Sequence, residues 1–229
     1  MKGPVFPCRE RVIQGRGLFG YAVDVHYRSG RKGDSRELAE LISLSSGGVV
    51  DYLYHGVFPG RSPVRIIADI LEDDIYPITY KNAIVAEHKG LIAGMALSFP
   101  SRFHGVNPVL ASSLPPEQLD HMHDFYLARV DDSWYVDALG VHERFRGQGI
   151  GKRLMELTEE RAREAGYGVV SLIVFADNTP AVNLYCSLGF RVVRRVELAG
   201  NDFIHHTGGC LLLSHKLNRH ASRMHSHRE

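Results

Sequence analysis

Apolar positions change their period several times along the 229-residue chain, and each change marks an element. Tyr21–Tyr27 alternates apolar and polar residues, the period-two pattern of a half-buried strand. Asp34–Leu44 switches to helical spacing, with Asp34 or Ser35 placed to cap it. A Ser-Ser-Gly-Gly break at 45–48 precedes a second helical stretch, Val49–His55, and Pro63–Ile75 reads as a further amphipathic helix. Ala83–His88 and Leu91–Ser98, separated by Lys89-Gly90, predict a hairpin. Trp134–Val141 is β-rich and runs through a glycine turn into helical spacing at Ile150, Leu154, Leu157 and Ala165. The apolar strand Val169–Phe175 is followed by a helix that Asn178 or Thr179 caps, that Pro180 suits near its first turn, and that Gly189 ends. Arg191–Leu198 and Gly209–His215 read as closing strands around a polar loop holding His205 and His206.

Residues 100–132 interrupt this order. A short turn would join the hairpin to the next strand, yet the segment is far longer than the ~12–15 residues usual for loops in compact domains. It is expected to hold one short helix after Pro115-Pro116. Three readings stand: a lid or acceptor-pocket wall, a surface elaboration, or a homodimer contact.

Composition narrows the class without naming a reaction. Charged residues make up 23% and hydrophobic residues 44%, which fits a globular chain, and the formal net charge of +1 gives no bulk field for nucleic acid or anionic membrane. No apolar run approaches the ~18–20 residues that span a bilayer, and the N-terminal stretch lacks a signal core. Cys8, Cys186 and Cys210 form no C-x-x-C and leave an odd thiol, which suits a cytoplasmic location, with Cys186 expected as a buried, inert thiol. Thirteen histidines include no zinc-binding spacing, so no metal is expected. Residues 1–16 are expected as an irregular lead-in, 17–217 as one domain, and 218–229 as a disordered polar tail.

The chemistry-bearing run is Val141–Leu154. Gly147, Gly149 and Gly151 lie between a strand and a helix start, where glycine permits φ > 0 and the first helical turn offers unpaired N–H groups to an anion. Arg146 and Lys152 add positive charge, so a phosphate-bearing ligand is expected, although a glycine turn that merely joins strand to helix has the same local pattern. The spacing fails a Walker A loop, because three residues separate Gly147 from Gly151 and Arg153 follows Lys152. It also fails G-x-G-x-x-G, whose third glycine falls on Lys152.

R-x-x-G-x-G at Arg146, Gly149 and Gly151 instead resembles the pyrophosphate motif of the GNAT acetyltransferase superfamily. Asn178, Ala181, Leu184, Tyr185, Gly189 and Phe190 resemble its second signature, N-x-x-A-x-x-L-Y-x-x-x-G-F, in the right order. The resemblance implies a mixed α/β fold with one largely antiparallel sheet, helices on both faces, and a V-shaped parting of two strands for acetyl-CoA. It implies that the backbone of Leu139, Gly140 and Val141 runs along the pantetheine arm, with Gly140 easing the approach. Arg146, Gly147, Gln148, Gly149, Ile150, Gly151 and Lys152 would carry the pyrophosphate, and Asn178 and Ala181 would border the cofactor. Tyr185 matches the family's general acid, against a plain reading as a packed helix tyrosine. Asp137 is the candidate base, sharing strand parity with Tyr135, Leu139 and Val141, against a reading as a structural strand-end carboxylate. Glu87 is a weaker substitute, and Tyr52 and Tyr54 are expected beside the acceptor. The implied function is acetyl transfer to a primary amine, on a small molecule or a peptide. A non-catalytic acyl-CoA sensor, or transfer of a longer acyl chain, is the alternative.

Overall fold

The computed structural model describes residues 24–106 and 108–218, with the side chains of residues 107–110 left aside. The expected lead-in at 1–16, and all but the first residue of the expected tail at 218–229, lie outside the described residues. Seven strands form one sheet in the order β1-β2-β3-β4-β5-β7-β6. These are β1 (His26–Ser29), β2 (Ala83–His88), β3 (Leu91–Pro100), β4 (Trp134–Val141), β5 (Val169–Phe175), β6 (Arg191–Val196) and β7 (Cys210–Lys216). Every neighbouring pair is antiparallel except β4–β5. The first strand falls later than the expected Tyr21–Tyr27, part of which lies outside the described residues.

The β2–β3 hairpin closes at Lys89 and Gly90, both with positive φ (+49° and +79°), the backbone that a two-residue turn needs to match strand twist. Two helices cover one face of the adjoining strands. In α1 (Ser35–Ser45), Leu38, Leu41 and Ile42 are turned inward; in α3 (Pro63–Glu72), Ile67, Ala68 and Leu71 are. They close on Val85, Met95, Leu97 and Ala138. Ser62 caps α3 by accepting a 3.2 Å bond from the Arg65 N–H. Asp34 precedes α1 but does not cap it. Its carboxylate is taken by the Arg28 guanidinium (2.6 Å) and the Arg31 N–H (2.7 Å).

The opposite face carries α7 (Ile150–Glu164) and α8 (Thr179–Ser187). Ile150 and Leu154 pack on the small side chains of Ala86, Ala93 and Ala96, while Met155 and Ala162 join Val170, Leu172, Tyr185 and Phe190.

Residues 100–132 hold three short helices rather than the single one expected: α4 (Pro108–Ser113), α5 (Pro116–His121) and α6 (His123–Leu127). Their apolar residues are not a surface elaboration. Leu114, Met122 and Ala128 are buried with Phe175, Leu198, Ile204 and Leu212, on the face of β5 and β7 away from α8. The helix α2 (Val49–Tyr54) packs into the same cluster through Leu53. The segment therefore completes the second half of the core.

Candidate active site

The site begins where two neighbouring strands stop pairing. β4 and β5 are hydrogen-bonded in parallel only over Trp134–Val136 and Val170–Leu172. Beyond those pairs β4 continues to Val141 and β5 to Phe175, so their C-terminal halves stand apart. The parting opens into a cleft of about 1980 Å³.

A β-bulge sits at the fork. Ser98 pairs with Val136 and the adjacent Leu97 with Ala138, which leaves Asp137 as the extra residue of β4. The bulge reverses strand parity. Trp134 and Val136 pack toward α7 and α8, and so do Leu139 and Val141, whereas Ala138 packs toward α1 and α3. The parity expected to join Asp137 with Leu139 and Val141 is therefore broken, because alternation holds only while every residue of the strand is paired. Asp137 points into the cleft beside Tyr54, Tyr126 and Tyr135, whose hydroxyls feel its charge.

Asp137 is exposed to the cleft but walled by protein, and it makes no hydrogen bond or ion pair among the described residues. Burial alone pushes its carboxyl up to about 7. A structural strand-end carboxylate would show a fixed partner, and this one has none. Glu87 is excluded as a substitute, since its carboxylate accepts from the Arg28 Nε at 2.7 Å and it lies off the cleft.

Tyr185 is buried in α8 against Phe190, with ring centroids 5.7 Å apart, and lines the cleft. Burial holds its phenol well above the ordinary tyrosine value, so the hydroxyl keeps its proton at physiological pH. Its neighbour Cys186 is half-buried, not the buried residue expected.

The glycine turn has the backbone that its sequence asks for. Gly147 (φ +74°) and Gly149 (φ +82°) are left-handed, and nothing lies within 4 Å of where a Cβ would stand on either. Gly149 is the N-cap of α7, and the first intrahelical bond is Arg153 N–H to Gly149 C=O at 3.0 Å. The N–H groups of Ile150, Gly151 and Lys152 thus have no intrahelical acceptor and stand at the positive end of the helix dipole. Arg146 and Lys152 line the same cleft. Gln148 does not; its amide donates to the Arg144 carbonyl at 3.2 Å. A one-residue step along a tight turn directs successive side chains apart, so a contiguous motif overcounts the cleft.

The remaining residues named from the sequence, Leu139, Gly140, Val141, Ile150, Gly151, Asn178 and Ala181, all line the cleft. Two have further duties. A Cβ on Gly140 would lie 2.9 Å from the Leu41 carbonyl, so the close approach that glycine permits is that of α1 to β4. Asn178 caps α8, its side-chain oxygen accepting from the Ala181 N–H at 3.3 Å. Tyr54 borders the cleft as expected, but Tyr52 turns instead toward the His121 ring, 5.0 Å away.

Two features had no local sequence signal. His104, Tyr126 and Tyr135 form an aromatic wall, with the His104 ring 4.2 Å from Tyr135 and 6.2 Å from Tyr126. On the cleft's edge, Asp177 holds His206 Nδ1 at 2.6 Å while the His206 ring stacks on Phe175 at 4.0 Å. The length of the 100–132 segment marks it as unusual, but spacing cannot say which of its side chains reach the strands. Among the described residues no group of three or more His, Cys, Asp or Glu is placed to hold a metal ion, and no helix is long and apolar enough to cross a membrane.

Comparison with known proteins converges on one family. A family model described as the acetyltransferase (GNAT) family matches residues 60–190, more than half of the chain. An uncharacterized N-acetyltransferase of Bacillus subtilis, YdgE, is 39% identical over 56 residues, covering 24% of this chain and 36% of that protein. The mycothiol acetyltransferase of Jonesia denitrificans is 46% identical over 57 residues, covering 25% and 18%. The chain thus spans about a third or less of the length of these relatives. Among solved structures, an N-acetyltransferase from Staphylococcus aureus Mu50 superposes with a TM-score of 0.61 at 20% identity, over 82% of this chain and 99% of that one. The yncA protein of Salmonella typhimurium, solved with its cofactor acetyl-CoA, gives 0.54 at 18% identity, over 87% and 97%.

Proposed function

The chain belongs to the GNAT acetyltransferase family, and from that premise we propose that it transfers the acetyl group of acetyl-CoA to a primary amine by direct attack in a ternary complex. One observation carries the reading: the strand parting brings an anion cradle, an unpartnered carboxylate and a neutral buried phenol onto one cleft. A coenzyme A pyrophosphate suits the open space before Gly147 and Gly149 and the unpaired N–H groups behind it. When bound, acetyl-CoA supplies a thioester to be attacked. The chain supplies positioning and proton handling.

Asp137 is the proton acceptor in this reading. A carboxyl near 7 is ionised often enough at neutral pH to accept a proton, and is a stronger base toward an ammonium than an ordinary carboxylate. The freed amine attacks the thioester carbon; the C–N bond forms and the C–S bond breaks. Tyr185 donates a hydrogen bond to the departing sulfur. A free thiol titrates near ~8.5, far below this buried phenol, so outright transfer of the phenolic proton is uphill. Of the two protons shed by the amine, one therefore ends on the thiol and one in solvent, while Tyr185 steadies the charge in between.

The test is acetyl-CoA turnover across a panel of amines, followed by free thiol release, with binding measured in parallel. Thiol release that scales with amine and collapses in Asp137→Asn is the expected result. Saturable acetyl-CoA binding with no release for any amine would leave an acyl-CoA-binding module instead.

A further inference from the structure

The cleft is divided by the chemistry of its walls. Of the ten large hydrophobic residues that are exposed among the described residues, seven line this cleft; only Leu91, Val192 and Val193 lie elsewhere. Soluble chains rarely gather exposed apolar surface in one place without a ligand to cover it. These residues are not on the glycine turn, so the pyrophosphate cradle does not account for them.

Aromatic side chains line the cleft in two groups, Tyr76 with Phe103 and His104 with Tyr126 and Tyr135. At the mouth Tyr76 and Phe103, 47% and 38% exposed, meet edge to face with centroids 4.6 Å apart. His104 follows Phe103 in the chain and lies against Tyr135, and Tyr126 and Tyr135 both feel the Asp137 charge. Burial pushes the His104 imidazole down to about 4, so it is neutral at physiological pH and adds no charge to the aromatic lining. Its Nε2 is occupied by the Phe125 carbonyl at 3.1 Å.

Charge on the rest of the cleft speaks against a polycation. Arg102 lies 4.6 Å from the Phe103 ring, at the entrance. Asp69 is neutralised by Arg61 and Arg65 (2.9 and 2.7 Å), and Asp131 by Arg129 (2.8 Å). Asp73 and Asp120 also line the cleft at exposed positions, but neither shares the Tyr54, Tyr126 and Tyr135 surround of Asp137. A polyamine needs several enclosed free carboxylates; a sugar needs a dense set of polar partners. The surround of Asp137 offers one carboxylate and aromatic faces.

We infer that the acceptor half of the cleft selects a primary amine borne on an aromatic or branched apolar body, which the exposed rings of Tyr76 and Phe103 cover while its amine reaches Asp137. This rests on the transferase reading above. The same chemistry is presented by a free arylalkylamine and by a peptide whose first residue is phenylalanine.

The experiment compares kcat/KM at saturating acetyl-CoA for 2-phenylethylamine, a Phe-initiated tetrapeptide, spermidine and glucosamine. The wild type and Phe103→Ser are assayed, with Val193→Ser as a control for loss of exposed apolar surface elsewhere. One of the two apolar amines should exceed spermidine and glucosamine by roughly tenfold or more, and the one that leads identifies the source. Phe103→Ser should raise KM for that amine by about three- to tenfold with kcat held, as expected for loss of one aromatic contact; Val193→Ser should not. Preference for spermidine or glucosamine, or an unmoved KM in Phe103→Ser, overturns the inference and leaves acetyl transfer standing. If no amine releases thiol, the transferase reading falls, and thermal protection decides this one. Protection by either apolar amine that is lost in Phe103→Ser supports the inference, and its absence refutes it.

Discussion

The two walls of the cleft are built in opposite ways. The wall proposed to hold the cofactor comes from a nearly continuous stretch: the end of β4, the glycine turn and the first turn of α7, with α8 close behind in sequence. The wall proposed to receive the acceptor is gathered from residues as distant as Tyr54, Tyr76, Phe103, Tyr126 and His206. The first depends on backbone conformation, which a few glycines specify locally. The second depends on side chains meeting across the core, which no local pattern specifies. Chemistry that needs only N–H groups can be encoded in a motif; recognition of a particular acceptor has to be assembled.

The variants that separate these walls differ in the size of their effect. Asp137→Asn stands at the junction and should have the largest one, a kcat loss of ~10²–10⁴-fold with an acceptor that is charged at neutral pH. In the wild type, kcat/KM should climb with pH and level off as Asp137 ionises, near 7, whereas in the variant it should keep rising with the neutral fraction of the amine. An α-amine near ~7.7–8.0 carries more of its own neutral form, so the loss should shrink with it. A wild-type profile that is flat across pH 6–8 with a lysine-like amine would remove Asp137 from proton transfer.

Met122→Ala tests whether the acceptor wall is also core. Met122 is fully buried among Leu114, Leu198 and Leu212, so truncation should cost about 2–4 kcal/mol in denaturant unfolding. A loss below ~0.5 kcal/mol would return the 100–132 segment to the surface.

Gly149→Glu tests the cofactor wall alone. At a hundredfold excess over Kd, acetyl-CoA should stabilise the wild type by about 2.7 kcal/mol, and the variant by almost nothing. The substitution puts a side chain at φ +82° and negative charge at the mouth of the cradle. Gly149→Ala isolates the backbone contribution, and equal protection of all three proteins would rule out the cradle.

Tyr185→Phe keeps the ring and its packing on Phe190, so stability and coenzyme A affinity should hold while kcat falls by about tenfold, or ~1.4 kcal/mol. Unchanged kcat under conditions where chemistry limits turnover would reduce Tyr185 to packing. The smallest effect is on stability. The folded Asp137 titrates near 7, above its unfolded value of about 3.8, so the wild type loses stability as pH rises between the two. Cleft water screens the carboxylate, so Asp137→Asn should gain about 1 kcal/mol above pH 7 and nothing near pH 4. The corresponding change in Tm is about 2–4 °C.

The sequence by itself determined the parts that depend on short-range rules. The Lys89-Gly90 hairpin, the Asn178 cap of α8 and the left-handed Gly147 and Gly149 are each fixed by the residues that form them. The order of elements follows from the same local periods, and the family resemblance from the two motifs at Arg146–Gly151 and Asn178–Phe190. The tertiary structure decided the rest. Parity predicts Asp137 alongside Leu139 and Val141, but the bulge opposite Leu97 and Ser98 breaks that alternation, and only pairing with β3 creates the bulge. Gly140 reads as an opening for a ligand, yet α1 is what comes close to it. The 100–132 segment reads as an addition, yet Leu114 and Met122 close the core over β5 and β7. In each case the deciding contact joins residues far apart in the chain. Period and spacing carry no information about such contacts, because burial is settled by whatever the rest of the fold brings alongside.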